Sequence, residues 1–250
     1  MRSFVMIEPL WADWPAPQNI KALTTTRQGG VSQGAFSSFN LADHVEDTID
    51  DVNKNRLILS ESLSIKEPIW LKQVHGVHVA DASVASHHTE ADAIISDQPD
   101  TVCAVLTADC LPLLFCNKQG SSVAAAHAGW RGLANGVIEA TVNAMQQDTQ
   151  NLMVWLGPAI GPRCFEVGQD VYDVFVTENQ MAKKAFTQTD KQHYLADIYQ
   201  LARLRLNNLG IEHIFGGSLC TFTDKERFYS YRRNQQTGRM ASMIWFTKRG

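Results

Sequence analysis

Short apolar runs, bounded by polar or glycine-rich turns, dominate the centre of the chain. Runs of this length are typical of strands that are buried on both faces of a sheet. They occur at 102–106, 111–115, 122–126 and 152–156. Further strands are predicted at 21–26, 69–74, 77–79, 214–220, 228–231 and 240–246.

Helical spacing of apolar residues predicts four helices between these strands. They cover 50–62, 133–145, 168–175 and 198–209, the last ending at Gly210. Strands and helices do not alternate strictly along the chain. The order therefore favours a layered α/β fold with mixed sheets over a doubly wound parallel sheet.

Composition and charge add few restrictions. The chain has 250 residues, of which 44% are hydrophobic and 19% charged, as in an ordinary globular protein. We expect one catalytic domain over 1–250, with 1–20 as an extended lead-in that contains Pro9, Pro15 and Pro17. The formal charge of −4 gives no basic field for nucleic acid or an anionic membrane.

Cysteine usage and the N-terminal residues suggest a compartment. Five cysteines, with no disulfide-like spacing, are typical of a reducing environment. Glu8 and Pro9 interrupt the apolar run that a signal peptide needs, and no stretch approaches the roughly 20 apolar residues of a membrane helix. We predict a cytoplasmic protein, either a monomer or a small homo-oligomer.

Three motifs carry candidate chemistry. Each places one metal ligand at the end of an apolar run, beside small or polar turn residues: His75 in Gln-Val-His-Gly, Cys110 in Thr-Ala-Asp-Cys, and His127 in His-Ala-Gly-Trp-Arg-Gly. Two imidazoles and one thiolate make three protein ligands. A catalytic zinc typically has three protein ligands and keeps a fourth position open for water or substrate. The ligands are 35 and 17 residues apart, so the fold must assemble the site.

The residues alone leave three interpretations. One is an open zinc site that activates water or stabilises an oxyanion. Another is a metal-free thiol nucleophile at Cys110, with His127 or His75 as its base. The third is a structural zinc in an interaction domain, which would need a fourth protein ligand. His78, three residues after His75, is a weaker candidate because it should face the other way in an extended strand.

The motifs together resemble one protein family. They are Thr-Thr-Arg-Gln-Gly-Gly-Val-Ser at 25–32, Ser-Phe-Asn-Leu at 38–41, the three ligand motifs, Leu-Gly-Pro-Ala-Ile-Gly-Pro at 156–162 and Leu-Cys-Thr at 219–221. This is the family described as multicopper polyphenol oxidases or laccases, as purine nucleoside phosphorylases and, in some bacteria, as a peptidoglycan editing factor. The resemblance runs from about residue 22 to the C-terminus.

The resemblance implies a single-domain, four-layered α/β/β/α fold and a zinc ion bound by His75, Cys110 and His127, with copper as a possible substitute. It also implies phosphorolysis of purine nucleosides (adenosine, inosine, guanosine and methylthioadenosine) and deamination of adenosine. Deamination fits such a site because zinc activates water for attack on C6 of adenine.

Phosphorolysis also requires an anion pocket. Arg27, in a glycine loop, and Arg131, beside the zinc histidine, are our candidates for phosphate, and Asn40 is a third candidate for substrate binding. Asp109 and Asp92 are candidates to orient a metal ligand from outside the coordination shell, with the capping of a turn as the alternative role for each.

Two rival activities remain within the resemblance. An open zinc site can also hydrolyse an amide, as in an editing amidase that removes a wrongly incorporated serine from a UDP-muramoyl cell-wall precursor. A multicopper oxidase needs many His-x-His pairs, whereas the eight histidines here form none. Copper-dependent polyphenol oxidation is therefore expected only as a side reaction of metal substitution.

Overall fold

A computed structural model describes residues 7–248, and the first six residues of the predicted lead-in lie outside this range. Two sheets form the centre of the fold. The four-stranded sheet has the order β1 (Leu10–Trp11), β2 (Ile20–Thr24), β13 (Met240–Phe246), β5 (Cys103–Thr107) and is antiparallel throughout. The second sheet, of six strands, is mixed, as predicted.

The six-stranded sheet has the order β12 (His213–Gly216), β8 (Leu152–Leu156), β6 (Leu111–Asn117), β7 (Val123–Ala128), β4 (Ala93–Ser96), β3 (Val79–Asp81). Its two outer pairs are parallel and its inner pairs antiparallel. A small antiparallel sheet is formed by β10 (Phe186–Gln188), β11 (His193–Ala196) and β9 (Glu166–Gly168).

Side-chain alternation along the central strands explains the layering. In β6, Leu111, Leu113 and Phe115 face a core shared with helices, whereas Leu114 and Cys116 face the four-stranded sheet. The helices on the first face are α2 (Trp130–Asn135), α3 (Val137–Met145), α4 (Gln169–Glu178) and α5 (Ile198–Asn208). Because both faces are covered, these strands are continuous apolar runs with no polar alternation.

The outer face of the four-stranded sheet is covered by α1 (Ile49–Leu63) and the segments beside it. Leu59 of α1 packs with Trp70 against Leu23, Met243 and other residues of that face. The order of layers is therefore helices, six-stranded sheet, four-stranded sheet, helix. This arrangement confirms the expected α/β/β/α fold.

Four predicted elements differ from the structure. The predicted helix 133–145 is two helices, because Gly136 adopts φ 97° between α2 and α3. The predicted strand 214–220 ends at Gly216, where consecutive glycines adopt positive φ. Predicted strands at 69–74 and 228–231 are wrong, since apart from a bridge at Lys72 neither segment pairs with a strand. The Val74 N–H instead donates to the Asp92 carboxylate, and the Tyr229 N–H donates to Sδ of Met240.

Candidate metal centre

The three predicted ligands meet beside the turn that connects the two central sheets. Cys110 lies in the turn between β5 and β6, which belong to different sheets, so the chain crosses from one sheet to the other there. His127 is near the end of β7, next to Pro112 of β6 in the strand register. His75 lies in the loop before β3 and approaches from the side.

The buried carboxylate of Asp92 holds two of these residues in place. Its Oδ1 lies 2.8 Å from Nδ1 of His127, and the backbone N–H of His127 donates to the Asp92 carbonyl at 2.7 Å. Because an ionised carboxylate only accepts hydrogen bonds, Nδ1 of His127 carries a proton, and Nε2 is the nitrogen that could bind a metal once it is deprotonated. Asp92 is 0% exposed, so its geometry is fixed by the core.

The same carboxylate organises the His75 loop. The backbone N–H groups of Val74, His75 and Gly76 donate to Asp92 at 3.1, 2.9 and 2.7 Å. This bonding bends the chain away from an extended strand, and His75 adopts φ 60°. Gln73 ties the loop to β5, since its side chain exchanges two hydrogen bonds with the backbone of Leu106, at 2.8 and 2.7 Å.

The donor atoms fit a metal ion. The ligand atoms of His75, Cys110 and His127 all lie within 4.8 Å of one another, and Nε2 of His75 is 3.8 Å from Sγ of Cys110. At tetrahedral angles, a sulfur about 2.3 Å and a nitrogen about 2.0–2.1 Å from zinc would lie roughly 3.6 Å apart. Among residues 7–248, no other group of three or more His, Cys, Asp or Glu side chains has this arrangement.

Gly129 gives the ligands room. Its backbone is extended, with φ −61° and ψ 159°, so glycine is not required by conformation. A Cβ at this position would lie 2.7 Å from Cδ2 of His75 and 3.1 Å from Sγ of Cys110. The requirement for glycine is therefore the close approach of two metal ligands.

The charged groups around Cys110 also change the pKa of its thiol. Burial alone would raise the pKa of Cys110, but the charge of His127 and hydrogen bonds from both imidazoles lower it to about 6. Burial alone would lower the pKa of His127, but the Cys110 thiolate and Asp92 raise it to about 9. Near neutral pH the protein without metal thus holds a thiolate beside an imidazolium, and the thiolate is the form that binds metals.

The ligands open into a cavity of about 460 Å³. This volume lies within the ~300–1,000 Å³ typical of small-molecule sites. Aromatic rings of Trp130, Phe165 and Tyr231 line it together with Ile160 and Ile198, and Arg232, Arg239 and His44 add polar groups. All three candidate ligands line this cavity, so a metal ion held by them would be accessible from it.

Comparison with known proteins assigns the chain to a family. A profile of the family described as multi-copper polyphenol oxidoreductase laccase matches residues 21–247. The chain belongs to this family. Relatives named purine nucleoside phosphorylase include proteins from Pseudomonas aeruginosa and Escherichia coli, each 52% identical. The alignments cover 94% and 93% of this chain, and 97% and 96% of those proteins.

Solved structures show the same fold. A Neisseria meningitidis protein of 48% identity superposes with a TM-score of 0.93, covering 96% of this chain and 99% of that one. YlmD from Geobacillus stearothermophilus, 30% identical, gives a TM-score of 0.85 and covers 95% and 96% of the two chains. The names of the relatives and the donor cluster together indicate an enzyme of this family with a possible metal site.

The two predicted supporting aspartates have different surroundings. Asp92 contacts His127 and the His75 loop directly, as described above. Asp109, beside Cys110, contacts neither histidine. It accepts hydrogen bonds from Thr221 Oγ1 at 2.5 Å, Ser230 Oγ at 2.9 Å and the Arg232 N–H at 2.6 Å. It therefore ties the Cys110 turn to the loop before β13.

The predicted substrate residues lie outside the metal cavity. Arg27 donates to the backbone oxygens of Ser37 and Lys225 in a separate surface cleft. Arg131 is exposed, with its guanidinium 4.4 Å from the ring centroid of Trp130. Asn40 is 0% exposed, and its side chain bonds the backbone of Ala42 and Arg239. Whether these three contact substrate stays a prediction.

The cavity contains groups that the sequence did not single out. Nη1 of Arg239 donates to the carbonyls of Thr237 and Gly238, at 2.7 and 3.1 Å, while its Nε and Nη2 find no acceptor within residues 7–248. Burial and the nearby Arg239 lower the pKa of His44, which favours a neutral imidazole at the cavity wall. The Met-Ala-Ser run after Arg239 signals a buried strand, but no motif marks the arginine itself.

Across residues 7–248, helices long and apolar enough to cross a membrane are absent.

Proposed function

We propose that this protein is a zinc-dependent purine nucleoside phosphorylase that also deaminates adenosine. The observation that carries the proposal is the His75–Cys110–His127 cluster, open to a cavity that combines aromatic walls with two arginines. The names of relatives that are 52% identical over almost their full length support the same activity. The substrates would be adenosine, inosine, guanosine and methylthioadenosine.

The residues that line the cavity suit both a purine base and a phosphate. A purine presents a flat π-face, which stacks on aromatic side chains such as Phe165, Trp130 or Tyr231. Inorganic phosphate presents oxygens that match a guanidinium fork, and Arg239 lines the cavity with only its Nη1 bonded to backbone carbonyls. We therefore place phosphate at Arg239, with Arg232 as a second positive charge.

Phosphorolysis then requires mainly positioning. A phosphate oxygen attacks C1′ of the ribose, the bond from C1′ to N9 breaks, and the base leaves with the bonding electrons. Arg239 would hold the phosphate on the side of the sugar away from the base. This positioning would raise the effective concentration of the nucleophile at C1′. Zinc held by His75, Cys110 and His127 would supply a Lewis acid and would lower the pKa of water for deamination.

The compartment and the metal are part of the same proposal. All five cysteines are free thiols, which supports a reducing compartment such as the cytoplasm. Mixed nitrogen and sulfur donors suit zinc, although copper also accepts them. A multicopper oxidase would need further donor groups, and residues 7–248 contain a single cluster.

An editing amidase is the second candidate, and the pair of arginines in the cavity also supports it. Arg232 and Arg239 in one cavity could also pair with the diphosphate of a UDP-linked cell-wall precursor. The same open metal site would polarise the amide carbonyl of a wrongly incorporated serine.

The test measures release of base from adenosine and inosine, with and without inorganic phosphate, using protein of known metal content. Phosphate-dependent turnover with about one zinc per chain is expected. Inactivity of the zinc-loaded protein on every nucleoside would reject the proposal, and cleavage of a muramoyl-serine precursor would then favour the amidase.

A pair of arginine variants locates the phosphate. Arg239→Gln should raise the KM for phosphate at least tenfold while adenosine deamination, which uses no phosphate, is retained. Arg131→Gln is the matched control, since it makes the same change outside the cavity. A raised phosphate KM in Arg131→Gln alone would return the phosphate site to the arginine predicted from sequence.

A further inference from the structure

Two cysteines outside the metal centre lie together in a second cavity. Cys164 and Cys220 are both half-buried and line a cavity of about 280 Å³ that also contains Gly161 and Thr223. Neither sulfur belongs to the His75–Cys110–His127 cluster. The metal chemistry proposed above leaves both thiols unused.

A tight turn brings the two side chains together. The N–H of Cys164 donates to the carbonyl of Gly161 at 3.0 Å, which closes the turn 161–164. Cys220 packs against the first residue of this turn, because the Gly161 N–H donates to Sγ of Cys220 at 3.2 Å. A Cβ on Gly161 would lie 3.0 Å from Cβ and 3.1 Å from Sγ of Cys220, so glycine allows the turn to approach the Cys220 side chain closely.

The two thiols have opposite environments. Burial would raise the pKa of Cys220, but hydrogen bonds from Thr223 and from the backbone N–H groups of Gly161 and Phe222 lower it. Burial and the neighbouring Cys220 sulfur raise the pKa of Cys164. A thiol with a lowered pKa beside a thiol with a raised pKa is the arrangement of a reactive cysteine and its resolving partner.

We propose that Cys220 and Cys164 form a peroxide-reactive dithiol that closes reversibly to a disulfide. The Cys220 thiolate attacks one oxygen of a hydroperoxide, the O–O bond breaks, and the alcohol or water leaves after taking up a proton, so that Cys220 becomes a sulfenic acid. The Cys164 thiol then attacks the Cys220 sulfur, an S–S bond forms, and water leaves with the thiol proton. The two thiols are oxidised and the peroxide is reduced.

The dithiol is connected to the metal cavity through the residue that follows each cysteine in the chain. Phe165 follows Cys164 and forms part of the cavity wall. Thr221 follows Cys220, and its hydroxyl donates to Asp109, which precedes Cys110. Drawing the two sulfurs together would therefore move two groups that shape the cavity.

The experiment treats the zinc-loaded protein with hydrogen peroxide, alkylates the remaining thiols and maps the peptides by mass spectrometry. We expect a linked peptide pair containing Cys164 and Cys220, formed before Cys103 or Cys116 changes and reversed by dithiothreitol. Cys164→Ser should stop the reaction at oxidised, unlinked Cys220. Cys220→Ser should leave Cys164 reduced.

Two results would overturn the proposal. One is a wild-type protein in which Cys164 and Cys220 stay reduced while other cysteines oxidise. The other is oxidation of Cys164 at an unchanged rate in Cys220→Ser. Peptide mapping of the wild type does not depend on the variants folding, and none of these readouts depends on the proposed nucleoside chemistry.

Discussion

The two ends of strand β6 carry cysteines with opposite chemistry. Cys116, near one end, packs in the apolar layer between the two central sheets, where burial raises its pKa to about 12. Cys110, just before the other end, is half-buried, and the two imidazoles beside it outweigh the effect of burial and lower its pKa to about 6. The comparison shows that burial in an apolar layer raises the pKa of a thiol, whereas neighbouring imidazoles favour the thiolate, which is the form that binds metals.

The largest effects are expected when Cys110 and Cys116 are each replaced by alanine. Cys110→Ala is expected to abolish stoichiometric zinc binding and nucleoside turnover, because it removes a direct ligand. The loss of zinc affinity should exceed the roughly 10–100-fold loss that follows removal of an outer-shell partner. Cys116→Ala should retain zinc and activity and lower the free energy of unfolding by about 1 kcal/mol.

Metal analysis and chemical denaturation of both variants give these quantities. If Cys110→Ala bound zinc as tightly as the wild type, the assignment of the metal centre would be wrong. Activity of Cys110→Ala without metal would instead exclude both zinc catalysis and a Cys110 nucleophile.

The pH dependence of zinc affinity should show the coupling between Cys110 and His127. Between about pH 6 and pH 9 the thiol is already ionised, but His127 retains a proton that the metal must displace. The apparent association constant should therefore rise about tenfold per pH unit, roughly a thousandfold over this window. Above pH 9 it should level off, and below pH 6 it should fall more steeply.

Zinc-buffered titrations at constant ionic strength measure this slope, and a pH indicator measures the proton released on binding. About one proton per zinc is expected near pH 7.5. An affinity that does not change between pH 6 and pH 9 would mean that His127 is already neutral in the protein without metal.

Much of the architecture, and the meeting of His75, Cys110 and His127 in one cluster, could be predicted from the sequence. The apolar runs before Cys110 and His127 are long enough to identify strands, and the resemblance supplied the order of layers. The His75 loop was predicted as a strand because Trp70 and Leu71 look like strand residues. Its backbone instead binds Asp92, 16 to 18 residues away, a contact that local patterns do not contain.

The cavity wall was even less predictable. Arg239 is close to Cys110 only because β13 pairs with β5, more than a hundred residues earlier in the chain. Arg27 and Arg131 looked better because they stand inside recognisable motifs. Those motifs describe local backbone geometry, and they do not determine which side chains face the cavity.

Asp92→Asn tests the support for the imidazoles. An amide offers one acceptor oxygen and an NH₂ group that faces other donors, so the N–H groups of the His75 loop and of His127 would lose partners. Zinc affinity should fall about 10–100-fold, and the free energy of unfolding should fall by about 1–3 kcal/mol.

Competition with a chromophoric chelator and thermal unfolding measure the two effects. Asp81→Asn is the control, since this exposed residue also accepts a backbone N–H, from Ser83 at 2.8 Å, but lies away from the ligands. Equal zinc affinities in the two variants would show that Asp92 supports only the fold.

Gly129→Ala should have the smallest effect and tests how closely the ligands are packed. The backbone at 129 accepts alanine, so any loss must come from the new methyl group, 2.7 Å from His75 and 3.1 Å from Cys110. We expect zinc affinity to fall roughly tenfold with little change in unfolding temperature, because displacing a ligand by a few tenths of an ångström weakens coordination.

Gly168→Ala is a matched control. Gly168 also precedes a helix and also has an extended backbone, and a methyl group there would meet only the flexible side chain of Asp170. Unchanged zinc binding in Gly129→Ala would mean that His75 can move aside, and that the rigidity of the centre comes from Asp92 and His127 alone.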